Sequence, residues 1–316
     1  MPDNGTMRAA AIDAVGPPDR LRITELPVPV AGPGEVLVRV RAAGVNAIDW
    51  ATRAGEGVPI GEFPAVLGWD VAGTVVGTGP GVTAFGDGDD VFGMPRFPAL
   101  AGCYAEYVTA PESELAGRPA TVDNRTAAGA AMVALTAWQS LFEHADLGAG
   151  QRVLVHGAAG GVGHVAVQLA KLAGAEVIAT ASARNHDFLR ELGADDVVDY
   201  TVRQPADVVA GIDVVVDPRG GSDFVRLTGV LRPGGVIVTL KGEQPGHRDH
   251  AAAAGARAAF TYVHPDGPVL DRIARLLADG SLRIAVDRTF PLADAAAAHA
   301  LGEQGHVRGR LVLDVG

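Results

Sequence analysis

At 316 residues the chain exceeds the roughly 100–200 residues of an ordinary single domain, so two packed domains are expected. A formal net charge of −11 without a compensating Lys/Arg cluster argues against nucleic-acid binding, because such a chain repels phosphate backbones. With 48% hydrophobic and 20% charged residues the chain is not disordered, and its one cysteine, Cys103, leaves no internal disulfide or multi-cysteine zinc site and fits a reducing cytoplasm.

The first residues, MPDNGTM, lack the basic start and apolar stretch of a signal peptide. From Met7 to about residue 125 short β-type runs alternate with Gly and Pro: RAAAIDAV (8–15), LRITELPVP (21–29), EVLVRVRAAGVN (35–46), DVAGTVVGTGPGV (70–82), DDVFGM (89–94) and YAEYVTAP (104–111), a β-rich, barrel-like pattern. From Thr126 an apolar helix is expected, TAAGAAMVALTAWQSLF, and helices then alternate with RVLVHG (152–157), EVIATA (176–181), DVVDY (196–200), IDVVVD (212–217), GVIVTL (235–240) and AAFTYV (258–263). That is the rhythm of a parallel sheet. The charge-free stretches 126–142 and 153–170 are diluted by Gly, Thr, His and Gln, so no membrane span is expected. The final residues read as strand, helix, strand, and periodicity alone leaves open which domain they join.

The strand RVLVHG leads into Gly157-Ala-Ala-Gly160-Gly161-Val162-Gly163. A helix with apolar positions at Val162, Val165, Ala166, Leu169, Leu172 and Ala173 follows. Small residues allow a tight turn, and a helix start offers free N–H groups and a positive dipole end to a pyrophosphate. The spacing is Gly-x-x-Gly-x-x-Gly rather than the commoner Gly-x-Gly-x-x-Gly, and a turn used only for close packing is the alternative. About twenty residues on, a fold preferring NAD places Asp or Glu against the ribose diol. This chain has Ser182-Ala183-Arg184-Asn185. A carboxylate would repel a 2′-phosphate, whereas Ser182 and Arg184 would bind one, which favours NADPH; a solvated first-turn helix residue is the alternative for Arg184.

Four stretches, 42–55 (AAGVNAIDWATRAG), 63–93, 136–182 and 188–200 (FLRELGADDVVDY), resemble the medium-chain dehydrogenase/reductase superfamily in its quinone oxidoreductase (zeta-crystallin-like) branch. The resemblance runs collinearly from Met7, leaving the first six residues as an expected extension. It implies an α/β protein with a GroES-like β-rich catalytic domain at 1–125 and 282–316, a Rossmann doubly wound parallel sheet at 126–281, and an active-site cleft between them. It also implies homodimers formed through the outer Rossmann strand, here 258–263. Zinc-dependent relatives carry Cys in a Gly-Val-Cys stretch, His-Glu in a Gly-His-Glu stretch and a four-cysteine lobe. Here Asn46, Trp69 and Asp70 stand at those positions and the lobe is missing. A catalytic zinc needs three protein ligands, so no metal is expected. The one close histidine pair, His247 and His250, lies in a polar, loop-like stretch.

Lacking a Lewis acid, such a protein is expected to reduce an already polarised acceptor, a quinone or an α,β-unsaturated carbonyl, by hydride transfer from the nicotinamide. The resemblance places Asn46 and Thr136 beside the nicotinamide and its ribose. It brings Gly161 and Val162 toward the pyrophosphate, Tyr200 beside the 2′-phosphate, and the backbone of Thr239–Leu240 against the carboxamide. A Tyr that in some quinone oxidoreductases follows the Ile-Asp of this stretch by two residues is Ala51 here, so the proton comes from solvent or another group. Asp49 and Asp70 are read either as catalytic or as orienting backbone amides, and Trp50 and Trp69 either as flat apolar walls for a ring substrate or as core. The Pro- and Gly-rich segment 94–108 is expected to border the cleft, with Tyr104 packed rather than acidic. An enoyl-thioester reductase on the same scaffold is the enzymatic alternative, and a non-catalytic NADPH-sensing protein the other. No tyrosine begins Tyr-x-x-x-Lys and no Gly-x-Ser-x-Gly occurs, which disfavours a short-chain reductase or a serine hydrolase.

Overall fold

Valine- and alanine-rich runs in the first 120 residues become strands in a computed structural model that describes residues 5–221 and 223–316. In chain order they are β1 (Thr6–Ile12), β2 (Arg22–Pro27), β3 (Glu35–Val45), β4 (Ala65–Val66), β5 (Val71–Thr78), β6 (Asp90–Gly93), β7 (Tyr107–Pro111) and β8 (Leu115–Gly117), with helix α1 (Ala47–Ala54) after β3. β4 and β8 went unpredicted because two or three residues are too few to show a period of two. β1 pairs with β2 and β4. The long β3 pairs with β5 and β7, and its Val36, Val38 and Val40 join Val71, Val75 and Val91 in the core. The expected N-terminal extension is shorter than six residues: Thr6 opposes Pro27 and the Gly5 carbonyl accepts from the Val28 N–H at 3.0 Å, while residues 1–4 lie outside the described residues.

The chain then forms α2 (Asn124–Trp138), which widens into a π-type turn over Gln139–His144. β9 (Arg152–Val155), α3 (Gly161–Leu172), β10 (Glu176–Thr180), α4 (His186–Glu191), β11 (Asp196–Val198), α5 (Pro205–Val208), β12 (Ile212–Asp217), α6 (Asp223–Thr228), β13 (Leu231–Thr239), α7 (His247–Ala253) and β14 (Arg257–Phe260) follow. Their six strands make one parallel sheet in the order β11-β10-β9-β12-β13-β14, so the order reverses between β9 and β12. Leu154, Ile178, Val215, Ile237 and Phe224 form its core. The apolar face expected of α3 is partly displaced. Leu172 is 52% exposed, while His164 and Gln168 are buried; the Gln168 amide exchanges two hydrogen bonds with the Arg283 backbone, at 2.9 and 2.8 Å, which removes the penalty on its burial. His247 and His250 lie on α7 rather than a loop, and the His247 ring stacks on Phe224.

Helix α8 (Gly267–Ala278) precedes β15 (Val286–Pro291), α9 (Ala295–Glu303) and β16 (Arg310–Asp314). β15 and β16 are parallel, and β16 pairs with β3, Leu311 opposite Val45. The ambiguous tail therefore returns to the first β-rich unit. The two compact units divide at Leu135/Thr136, with 264–280 and 284–316 in the first and 281–283 in the second. The expected boundary at 125/126 thus moves to 135/136, because the start of α2 packs on β3: a Cβ at Gly44 would lie 2.6 Å from the Ala128 carbonyl. Similarly 264–280 shifts to the first unit, where a Cβ at Gly267 would lie 2.5 Å from the Ser113 carbonyl.

A Gly44→Ala variant should therefore lose about 1–3 kcal/mol of stability by overpacking. Gly117→Ala, whose Cβ meets nothing within 4 Å, should melt like the parent. Thermal unfolding of the two variants checks this, and a Gly44→Ala protein as stable as Gly117→Ala contradicts the packing described.

Candidate functional site

In the second unit the glycine turn is tied to the sheet by its backbone. The Gly157 N–H donates to Thr180 Oγ1 at 3.0 Å and the Ala158 N–H to the Thr180 carbonyl at 2.9 Å, fixing the turn against the end of β10. Gly157 has φ 63°, a left-handed value suited to glycine. Gly163 serves packing: its Cβ would fall 2.7 Å from Ala158 Cα and the Gly157 carbonyl. Gly160 differs, for its Cβ would meet only the Gly157 carbonyl at 3.4 Å. Gly160 also starts α3 with no side-chain cap, and the N–H groups of Gly161 and Val162, which have no acceptor within a helix, lie at its positive end. This donor set fits a pyrophosphate.

At the C-terminal ends of β9, β11 and β12 an open pocket is lined by His156, Tyr200, Gln204, Arg219, Asp223 and Arg226. In a doubly wound sheet the crevice outside the carboxyl ends of the strands, where the strand order reverses, is the usual ligand site. The Arg219 guanidinium lies 5.9 Å from the Tyr200 ring centroid. Its turn is held by Asp217 Oδ1, which accepts from the Arg219 and Gly220 N–H groups at 3.0 Å each. The missing side chain of Gly157 leaves room for it, since a Cβ there would lie 3.3 Å from Arg219 Cδ. His156 Nδ1 and Thr180 Oγ1 are 2.9 Å apart, its Nε2 lies 3.4 Å from Asp223, and burial holds the ring below its ordinary pKa. Tyr200 is expected here from the sequence; Arg219 is not. Its sequence signal is an Arg two residues beyond IDVVVD, at the end of the strand across the switch point from the glycine turn.

Ser182 and Arg184 lie on the turn between β10 and α4, with Arg184 exposed and Ser182 half-buried. Thr136 is buried, and its carbonyl accepts from Ser140 Oγ at 2.7 Å. Thr239 ends β13, where its carbonyl accepts from the Thr261 N–H and the Leu240 N–H donates to the Asp217 carbonyl.

The first unit holds a buried polar cluster. Asn46 precedes α1 because its own N–H donates to Asp49 Oδ2 at 2.6 Å, the closing bond of a capping box. Its side chain donates from Nδ2 to Asp70 Oδ2 at 2.9 Å. Asp70 also accepts from the Met132 N–H at 2.7 Å and from Arg310 Nη2 at 2.8 Å. Asp49 Oδ2 accepts in addition from the Tyr104 hydroxyl at 2.7 Å, and His299 Nε2 lies 3.3 Å from that oxygen. The single phenolic proton goes to Asp49, so Nε2 of a neutral His299 donates to Tyr104. Burial pushes Asp49 up to about 7, outweighing its two hydrogen bonds, and drives the phenol of Tyr104 up as well. The same burial, with Arg53 nearby, pushes His299 down to about 3. Asp49 and Asp70 thus both orient amides, one of the two roles considered for them. Tyr104 is a packed, hydrogen-bonded residue, and Cys103 a buried thiol whose pKa burial raises.

Of the two roles considered for the tryptophans, apolar wall or core, Trp69 takes the second. Trp69 has no exposed surface; its indole N–H donates to the Ala99 carbonyl at 2.7 Å and its ring meets Phe97 edge-on, so it packs the core and offers no wall to a substrate. Trp50 is half-buried and meets His299 edge-on, over Gly302, where a Cβ would lie 2.5 Å from its ring. Segment 94–108, read as a bordering loop, is partly core: Met94, Cys103, Tyr104 and Ala105 are all buried.

A family model described as alcohol dehydrogenase GroES-like domain matches residues 32–120, and one described as zinc-binding dehydrogenase matches residues 192–313. The chain is 33% identical to the mitochondrial NAD(P)H oxidoreductase RTN4IP1 of Danio rerio, over 98% of this chain and 91% of that protein. Its fold superposes on the quinone oxidoreductase from Coxiella burnetii with a TM-score of 0.94 at 35% identity, covering 98% and 100% of the two chains. It also superposes on a mycobacterial protein complexed with NADPH, with a TM-score of 0.85 at 32% identity, covering 98% and 100%. The chain belongs to the medium-chain dehydrogenase/reductase superfamily of oxidoreductase enzymes, in its quinone-oxidoreductase-like branch.

Proposed function

We propose that the protein is a zinc-independent, NADPH-dependent oxidoreductase that reduces quinones or α,β-unsaturated carbonyls. The observation that carries this reading is the uncapped start of α3 on the glycine turn, with the Arg219 and Tyr200 pair beside it. The backbone N–H groups of Gly161 and Val162 hold the pyrophosphate. Ser182, Arg184, Tyr200 and Arg219 take the 2′-phosphate, where guanidinium donors are worth far more to a dianion than to a ribose hydroxyl. Thr136 and Asn46 orient the nicotinamide ribose, and the Thr239–Leu240 backbone meets the carboxamide. The bound cofactor supplies a hydride to the quinone ring or to the β-carbon of an enone.

Zinc independence rests on the chemistry of the side chains where zinc-dependent relatives carry ligands. The Asn46 amide is engaged with Asp70 and Trp69 is sealed in the core, and neither is an imidazole, thiolate or carboxylate ligand. Negative charge developing on the acceptor oxygen is neutralised by a proton from solvent, because the Tyr104 proton is committed to Asp49. We assign homodimerisation to the free edge of β14, the last strand of its sheet, beside the exposed Tyr262. No helix among the described residues is long and apolar enough to cross a membrane. The single, unpaired Cys103 supports a cytoplasmic setting.

Steady-state NADPH oxidation with benzoquinones, alkenals and enoyl thioesters in parallel should show saturable turnover of the first two. Thioester turnover with inert quinones would assign the scaffold to enoyl-thioester reduction instead, and NADPH binding without turnover of any acceptor would point to sensing. Metal analysis should find substoichiometric zinc that does not track activity.

Arg184→Ala and Arg219→Ala should each weaken NADPH binding about tenfold or more, the scale of a lost charge-assisted bond, while NADH binding changes little. Fluorescence titration with both cofactors reads this, and equal losses for the two would contradict the 2′-phosphate assignment.

A further inference from the structure

Short as it is, α6 divides its side chains between two environments. Phe224 and Leu227 pack into the core of the parallel sheet, and Asp223 and Arg226 line the pocket together with His156, Tyr200 and Arg219. A carboxylate and a guanidinium three residues apart on a helix ordinarily attract each other. Here they do not pair. Among the described residues neither Arg219 nor Arg226 forms an ion pair, whereas Arg152 and Arg232 of the same unit are tied to Glu176 and Asp213. Asp223 turns instead to His156, whose Nε2 lies 3.4 Å from its Oδ2. The His156 ring is buried and fixed: Nδ1 meets Thr180 Oγ1, which accepts from the Gly157 N–H. The hydroxyl proton of Thr180 is then left for Nδ1, and the ring carries its own proton on Nε2, toward Asp223. Nε2 has no hydrogen-bond partner, so its pull on the carboxylate is electrostatic. The other carboxylate near the ring, Asp217, holds the backbone N–H groups of Arg219 and Gly220.

We infer that Arg226 is a further specificity-determining residue, binding the 2′-phosphate of the cofactor together with Arg219, and that His156 is a positioning residue that keeps Asp223 from neutralising it. This deepens the reading of the second unit as an NADPH site and rests on it. Packing gives no reason for the two guanidiniums, since both side chains are exposed and like charges in one pocket repel each other. In a chain of net charge −11 carboxylate partners are plentiful, yet these two arginines stay unpaired in one place. They come from separate elements, the turn after β12 and helix α6, and each offers forked N–H donors that match a phosphate. A ribose hydroxyl, which NADH has at that position, gains little from either. A carboxylate facing the phosphate would repel it, so Asp223 is compatible with the site only while it is drawn to His156. Burial holds that ring below its ordinary pKa, so it orients Asp223 as a neutral donor.

The test titrates the full chain with NADPH, NADH, adenosine 2′-monophosphate and adenosine 5′-monophosphate, with thermal melting read alongside. Arg226→Gln should weaken NADPH and adenosine 2′-monophosphate about tenfold and leave the two ligands without a 2′-phosphate within about twofold. Arg226→Lys, which keeps the charge, should recover part of the loss. Equal weakening of all four ligands overturns the inference, and so does unchanged NADPH affinity in Arg226→Gln while Arg219→Ala loses it. A parent protein that binds NADPH no more tightly than NADH sinks the underlying NADPH reading, and the inference with it. For the positioning role, His156→Asn keeps an acceptor for Thr180 and lacks the ring N–H that faces Asp223. It should weaken NADPH about threefold, and that loss should vanish when Asp223→Asn is added. A loss that persists in the double variant overturns the role of His156. Should His156→Asn not fold, Asp223→Asn alone decides: it should bind NADPH at least as tightly as the parent, and weaker binding overturns the inference.

Discussion

The buried Asp70 and Arg310 pair organises the first unit. Arg310 comes from the final strand and Asp70 from the chain entering β5, and the pair is sealed by the Met132 N–H and the Gly129 carbonyl of α2. Desolvating both charges costs several kcal/mol, and backbone groups and Asn46 offset it: the Met132 N–H and Asn46 Nδ2 donate to Asp70, and the Gly129 carbonyl accepts from Arg310 Nε. This arrangement explains why β3 carries glycine at position 44 and why the start of α2 joins the β-rich unit rather than the parallel sheet. The C-terminal strand is equally bound to it, since β16 must reach β3 for the guanidinium to arrive.

In the second unit the corresponding constraint is a set of backbone donors that the helix cannot satisfy internally. The turn before α3 is glycine where the backbone must bend or the helix must approach, and the uncapped Gly161 and Val162 amides remain for an anion. Arg219 brings a positive charge to a pocket also lined by Arg226, Asp223 and His156. Burial keeps the His156 ring below its ordinary pKa, so it adds little positive charge of its own at neutral pH.

Much of this was legible in the sequence because the signals are local. The parallel strands announced themselves as apolar runs on schedule, and the glycine turn between a strand and a helix could be placed to the residue. Asn46, Asp49 and Asp70 could be singled out from the motif that carries them. What stayed hidden depends on contacts far apart in sequence. Arg310 lies 240 positions from Asp70 with no pattern to link them, Arg219 meets Tyr200 only once β11 and β12 are placed, and Gln168 is buried by a backbone segment more than a hundred residues on. For Trp69 the sequence left a substrate wall and core packing equally open. Nothing local says that Ala99 and Phe97 close over it. The short strands β4 and β8 exist because their neighbours pair with them, not because their own residues demand it.

The central claim is hydride transfer from NADPH without a catalytic metal, and single turnover with NADPH deuterated at C4 addresses it most directly. With protein in metal-chelated buffer and an enone acceptor, the label should appear on the β-carbon of the product with a primary isotope effect on the transfer rate. With both C4 positions labelled, a product carrying no deuterium, or transfer that begins only when zinc is added back, would contradict the account.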